Sequence, residues 1–335
     1  MESQRSEYEV SNDTIRTVAI SGGTHGNELV GVYLVREWMK NPELVKRNSF
    51  TTHLLISNPA AVEKCVRYVD IDLNRQFIPV NLESEKEVDQ PYEIKRAKEI
   101  ESKFGGSPNS KRVDFWLDLH NTTSNSGLLL FVPRKFDSFT LRVAAALQLK
   151  HGDCIKVASL PAVYENKSFT GKRSRSGGIA DTGVHGFGLE VGPLAHGTLS
   201  ASLYKQTKSI VYCILDILEA LNKGWKPERD VIEVYEPFKR VDYPRDENGE
   251  ISAMLHPEVD GKDWKALNVG DPLFITFEGK ALPYMGPEMA YPILINEASY
   301  MEKGTALILT KKTEVVISQV EMQPNETSSN TDVFT

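Results

Sequence analysis

Apolar positions along the first two-thirds of the chain recur with two alternating periods. Ile15-Arg-Thr-Val-Ala-Ile-Ser21 is a short apolar run that predicts a buried strand, and Gly22 to Gly26 follow as a turn. From Glu28 to about Met39, the residues Leu29, Val32, Tyr33, Val35 and Trp38 predict a helix, closed by Asn41-Pro42. Residues 51–57 read as a strand, 92–104 as a helix with Ile94, Ala97, Ile100 and Phe104 on one side, 113–120 and 127–132 as strands, and 139–149 as a helix. In 185–193, Phe187, Leu189 and Val191 share one strand face, leaving Gly186, Gly188 and Glu190 on the other. Residues 203–221 then predict a long amphipathic helix through Ile210, Val211, Ile214, Leu218 and Leu221. Strands alternating with helices predict an α/β fold, a mainly parallel or mixed sheet with helices on both faces.

The texture changes after Asn222. Short strand-like runs separated by turns, such as 272–277 and 305–310, predict a smaller β-rich unit. The expected organisation is a polar N-terminal tail (1–14), a catalytic domain (15–222), a β-rich C-terminal domain (223–322) and a flexible tail (323–335). No internal repeat at a fixed period is visible.

Composition narrows the function classes. The 335 residues are 40% hydrophobic and 25% charged, which excludes a disordered or fibrous chain. A net charge of −7 argues against sequence-independent nucleic-acid binding, although it permits a local cationic pocket. Cys65, Cys154 and Cys213 form no CxxC pair, so neither a disulfide framework nor a cysteine metal site is expected. No apolar run approaches the roughly 20 residues that span a bilayer, and Met1 to Thr14 lacks an apolar leader. A soluble cytoplasmic protein with reduced thiols is the expectation.

Candidate chemistry collects at predicted strand ends. His25-Gly-Asn-Glu28 is an H-x-x-E at a strand-to-helix turn, where side chains of an α/β sheet point into the ligand crevice. An imidazole and a carboxylate three apart form a normal half of a catalytic zinc site. Alone, the pair would more often be a surface His and a helix-start Glu. His120 ends another apolar strand, with Asp118 on the same face as its orienting carboxylate, which makes His120 the third candidate ligand. Glu190, flanked by glycines, is the candidate general base. Arg67, Asn74 and Arg75 lie in one short stretch that could hold a carboxylate or a developing oxyanion.

Four ordered motifs carry a family resemblance: Gly22-Gly-Thr-His-Gly-Asn-Glu28, Asp70-Ile-Asp-Leu-Asn-Arg75, Asp118-Leu-His-Asn-Thr-Thr123 and Gly188-Leu-Glu-Val-Gly-Pro193. Two more lie downstream, Val241-Asp-Tyr-Pro-Arg-Asp-Glu-Asn-Gly-Glu250 and Tyr291-Pro-Ile-Leu-Ile-Asn-Glu-Ala-Ser-Tyr300. Together they resemble the aspartoacylase/aminoacylase-three family of zinc amidohydrolases, with a carboxypeptidase-A-like catalytic domain, over about Ile15 to Thr310. The resemblance implies one Zn2+ per subunit on His25, Glu28 and His120, with Glu190 as general base and Arg67 polarising the scissile carbonyl. It implies Asn74 and Arg75 on a substrate carboxylate and Tyr300 on the substrate side chain. A further arginine of the family falls in Lys172-Arg-Ser-Arg-Ser-Gly-Gly178, with Arg175 preferred and Arg173 as substitute. The implied substrate is a small N-acyl amino acid, first N-acetyl-L-aspartate. The alternatives are N-acyl aromatic amino acids and mercapturates, or an inactive binding protein on the same fold. The family likeness also implies a homodimer in the cytoplasm, with the nucleus as a second location.

Overall fold

The computed structural model describes residues 14–84, 89–106, 111–132, 138–159, 177–228 and 231–317, together with the backbone of 6–8. In chain order the strands are β1 (Ser6–Tyr8), β2 (Thr17–Gly22), β3 (Thr51–Ile56), β4 (Phe115–Asn121), β5 (Leu128–Val132), β6 (Ile155–Ser159) and β7 (His185–Val191). They continue with β8 (Val231–Val241), β9 (Ala253–Leu255), β10 (Pro272–Thr276), β11 (Ala281–Pro283), β12 (Tyr291–Ile293) and β13 (Leu307–Ile317). The α-helices are α1 (Leu29–Lys40), α2 (Pro59–Lys64), α3 (Pro79–Leu82), α4 (Tyr92–Phe104), α5 (Ser138–His151) and α6 (Ala201–Asn222).

One large mixed sheet runs in the order β1-β13-β8-β6-β5-β7-β4-β2-β3, with β12 added against β13. The neighbours β3, β2, β4 and β7 are parallel, and β5 enters antiparallel to β7. Alternation of side chains across β2, β4 and β7 splits the interior in two. Val18, Ile20, Phe115, Leu117, Leu119, Phe187, Leu189 and Val191 join the main core with residues of α1, α5 and α6. Ala19 and Trp116, on the opposite face, pack with Ala97, Ile100 and Phe104 of α4. That second face also carries Asp118, His120 and Glu190 toward the carboxyl ends of the strands. One face is therefore sealed by three helices, while the other is covered only partway and leaves a cleft.

The large sheet continues into the C-terminal region. β8 pairs with β6 at Ala158↔Tyr235, and β13 runs antiparallel to β8 along most of its length. A separate three-stranded sheet, β11-β10-β9, encloses its own core with Tyr243, Leu255, Leu273 and Phe274. A smaller apolar cluster joins the two parts: Leu129, Phe131 and Ala158 pack with Tyr235, Ile293, Leu294 and Ile308. Among the described residues, no helix is long and apolar enough to cross a membrane.

Candidate metal centre and cleft

The turn after β2 is shaped by contacts that only glycine permits. A Cβ on Gly22 would run into the Gly31 carbonyl of α1, and one on Gly31 would come within 2.8 Å of the Leu119 Cβ. Gly23 adopts φ of +71°, the left-handed region. The start of α1 therefore lies directly on β2 and β4, bringing Glu28 beside His120 although 92 positions separate them.

His25, Glu28 and His120 are buried, and their ligand atoms all fall within 4.8 Å of one another. The Glu28 carboxylate takes His25 Nδ1 at 2.6 Å and His120 Nδ1 at 2.8 Å. The outer nitrogen of each imidazole faces a further carboxylate: His25 Nε2 lies 3.1 Å from Asp72 Oδ1, and His120 Nε2 lies 2.5 Å from Asp118 Oδ2. Asp118 is itself held by Ser21 Oγ at 2.6 Å and Thr24 Oγ1 at 2.7 Å. This arrangement fits a divalent ion of zinc type. Two neutral imidazoles and one carboxylate supply the donors, and the carboxylate behind each His fixes its tautomer and raises its basicity.

The electrostatics agree. Burial opposes the charge on Glu28, but the two imidazoles outweigh it and hold the acid well below its ordinary value. His120 is also opposed by burial, yet Asp118 and Glu28 lift it well above the usual imidazole range. The site is thus built to carry positive charge between these carboxylates.

Glu190 sits beside His120 in the β4–β7 register and lines the same cleft as the three candidate ligands. Its carboxylate has no hydrogen bond among the described residues, and burial pushes it up to about 8. Arg67 Nη1 reaches Glu28 Oε1 at 3.4 Å and Nη2 reaches Asp72 Oδ2 at 3.2 Å. Asn74 commits its Oδ1 to the Ile179 N–H at 2.9 Å, and its amide donor borders the cleft near His120 Nε2 at 3.5 Å. Arg75 donates Nη1 to the Asn74 carbonyl and forms no ion pair among the described residues. Tyr300, on a short 3-10 helix (Ala298–Lys303), contributes to the cleft wall from the C-terminal region. The cleft thus gathers His25, Glu28, Arg67, Asn74, Arg75, His120, Glu190 and Tyr300. Arg173 and Arg175 lie outside the described residues.

Three acids that support this site had been given no part by the sequence. Asp72 receives His25, Arg67 and Lys303, the last at 3.3 Å. Glu93 of α4 is wholly buried and accepts from Asn58 Nδ2 and from the backbone N–H groups of Val69, Asp70 and Ile71. It thereby holds the loop between Arg67 and Asp72. Glu297 accepts from Thr122 Oγ1, from the Thr123 N–H and from the Ser299 N–H. The sequence showed Asp72 and Glu297 only as members of family motifs, and Glu93 only as a polar helix residue. His185, at the start of β7, is buried with its ring 4.6 Å from that of Phe139.

Comparison with known proteins meets this geometry directly. The succinylglutamate desuccinylase/aspartoacylase catalytic-domain model matches residues 14–218. The chain belongs to the succinylglutamate desuccinylase/aspartoacylase family. The barrel-sandwich hybrid domain of the same family matches residues 230–312. Rat aspartoacylase is 41% identical over 306 residues, covering 90% of this chain and 95% of the rat protein. The human N-acyl-aromatic-L-amino acid amidohydrolase is 37% identical over 303 residues, covering 90% and 92%. The crystal structure of murine aminoacylase 3 superposes with a TM-score of 0.83 at 35% identity, covering 92% of this chain and 98% of that one. Membership in this family of α/β enzymes accounts for both the large sheet and the appended β-rich part.

Proposed function

We propose that this protein hydrolyses N-acyl amino acids, with N-acetyl-L-aspartate as its preferred substrate and acetate and L-aspartate as products. The observation that carries this reading is the convergence of His25, Glu28 and His120, each imidazole backed by a carboxylate, beside the unpartnered carboxylate of Glu190. One zinc ion per subunit would be held by those three side chains. A divalent ion there supplies Lewis acidity, polarising a carbonyl, acidifying a water and favouring the anionic form of nearby carboxylates.

The chain's own groups divide the remaining work. Glu190 takes a proton from the attacking water and returns it to the departing amine. Arg67, fixed from two sides by Glu28 and Asp72, donates to the oxygen on which negative charge develops. Asn74 Nδ2 and Arg75 hold the α-carboxylate, since the Asn74 carbonyl is already committed and the Arg75 guanidinium has no acidic partner among the described residues. Tyr300, with Arg175, reads the substrate side chain. Water adds across the amide, so one carboxylic acid and one amine leave.

An aromatic N-acyl amino acid is the second reading, favoured by the similarity to the human N-acyl-aromatic-L-amino acid amidohydrolase and by Phe131 and Leu294 in the cleft wall. Parallel assays with N-acetylaspartate and N-acetyltyrosine, with and without a zinc chelator, separate the two. Faster turnover of N-acetylaspartate that is lost on chelation supports the first. Preference for N-acetyltyrosine selects the second, and inactivity of a zinc-loaded protein on both overturns the deacylase reading. Family likeness extends the proposal to a cytoplasmic homodimer with the nucleus as a second location, which sedimentation and cell fractionation test.

A further inference from the structure

The turn after β4 carries buried hydroxyls at alternate positions, Thr122, Ser124 and Ser126. Thr122 Oγ1 and Ser124 Oγ are 2.8 Å apart, and Ser124 Oγ and Ser126 Oγ are 2.6 Å apart. Two carboxylates of the C-terminal region close the ends of this file. Thr122 Oγ1 meets Glu297 Oε2, and Ser126 Oγ lies 2.9 Å from Asp263 Oδ1.

The protons do not add up if both acids are ionised. Four oxygen–oxygen links run from Glu297 to Asp263, and the three hydroxyls bring one proton each. The Ser124 N–H donates to Thr122 Oγ1 from outside the file and fills none of the four links. With both carboxylates charged, one link would set lone pairs against each other at hydrogen-bonding distance. One acid must bring the fourth proton.

The surroundings distinguish the two ends. Glu297 is ringed by donors: the Thr123 N–H at 2.7 Å, Thr123 Oγ1 at 3.1 Å and the Ser299 N–H at 3.1 Å. These favour its charged form. Asp263 Oδ2 is buried and has no hydrogen-bond partner among the described residues, and apart from Ser126 the carboxylate meets only backbone N–H groups, those of Ile295, at 3.4 Å from Oδ1, of Leu294 and of Asp263 itself, which burial outweighs. No cation pairs with Asp263 among the described residues. Lys262 and Lys265 both turn to Glu258, Asp260 accepts from Asn296, and His196 stands beside Glu297 at the far end. A charged carboxylate with one bare buried oxygen costs far more than the neutral acid in the same place.

We propose that Asp263 holds the fourth proton, and that the neutral acid completes a buried hydroxyl relay to Glu297 which fixes the cleft wall bearing Tyr300. Every donor is then used once and in one direction. Asp263 donates to Ser126, Ser126 to Ser124, Ser124 to Thr122, and Thr122 to Glu297. Glu297 in turn caps the 3-10 helix of Tyr300 through the Ser299 N–H. Burial opposes ionisation at both ends. In Asp263 it prevails and lifts the acid to about 6, while in Glu297 the hydrogen bonds from Thr122 and Ser299 outweigh it and hold the acid low. The stabilisation is complete below the ordinary aspartate value, about 4, and is lost as pH rises through about 6.

The proton count stands apart from the proposed activity, and two readouts keep them distinct. The first is the infrared carbonyl band of protonated carboxyl groups at about pH 5.5, where exposed carboxylates are ionised. Wild type should show a component that Asp263→Asn lacks, and identical bands in the two proteins would overturn the proposal. The second is KM for the better N-acyl amino acid, followed from about pH 5 to about pH 8. The side-chain amide introduced by that substitution donates to Ser126 at every pH, so Asp263→Asn should keep a low, flat KM where wild type rises. Asp263→Ala and Ser126→Ala should raise KM about fivefold, with kcat little changed. Asp263→Asn raising KM as much as Asp263→Ala would overturn the relay. If no N-acyl amino acid is turned over, the proposed function fails and the infrared band alone decides the proton.

Discussion

At the scale of single residues, what matters is which side chains are already committed. The outer nitrogens of His25 and His120 face Asp72 and Asp118, so each ring has one nitrogen left for an ion. Glu190 is the opposite case, a carboxylate in the cleft with no protein partner among the described residues. Glu190→Ala should therefore cut kcat about a hundred- to ten-thousand-fold while bound zinc, measured by elemental analysis, stays at the wild-type level. Normal turnover in that variant would remove the general-base assignment. Asp118→Asn should act the other way, weakening metal affinity about ten- to a hundredfold in competition with a chelator. Unchanged affinity would mean that Asp118 only fills space.

At the scale of elements, the loop between α2 and the 3-10 turn Leu73–Arg75 carries Arg67 and Asp72, and the turn itself carries Asn74 and Arg75, yet little apolar packing fixes residues 69–71. Glu93 replaces that packing with its four accepted hydrogen bonds. Glu93→Gln keeps the volume but turns one acceptor into a donor facing N–H groups. We expect a loss of about 1–3 kcal/mol in stability by denaturant titration and a rise in KM. A variant with wild-type stability and KM would show that the loop holds its shape unaided. The period-3.6 pattern predicted the helix at 92–104 and its apolar side, because burial of that side is a local property of sequence. It gave no sign that Glu93, on the same helix, is wholly buried, because its partners are backbone groups of another segment.

At the scale of the whole molecule, the C-terminal region both supplies Tyr300 and extends the large sheet. Without β8 and β13, the β6 edge and the apolar surfaces of Leu129, Phe131 and Ala158 would face water. A chain ended after residue 228 should consequently aggregate or fail to accumulate as soluble protein. A soluble, monomeric fragment with the near-ultraviolet signature of the intact protein would contradict this. Acid should also weaken the intact molecule. Burial opposes ionisation of Asp72, but His25 and Arg67 outweigh it and hold the acid well below its ordinary value. Its contribution is present above that ordinary value, about 4, and is lost as pH falls further. A melting temperature that stays flat below about pH 4 would refute that linkage.

The sequence by itself determined the alternation of strands and helices, because period two and period 3.6 are set by backbone geometry and by which side chains avoid water. It also pointed to His25, Glu28, His120 and Glu190, because each stands where an apolar strand ends in a polar or glycine-bearing turn. Only the tertiary structure decided that 231–241 pairs with 307–317 on one side and with β6 on the other, since strand partners are chosen by surfaces far apart in the chain. Only it brought Asp72 to His25, Glu93 to the 69–71 loop, and Asp263 and Glu297 to the two ends of one file of hydroxyls. Hydrogen bonds between distant segments leave no period in a sequence, so their partners become visible only once the backbone has brought them within reach.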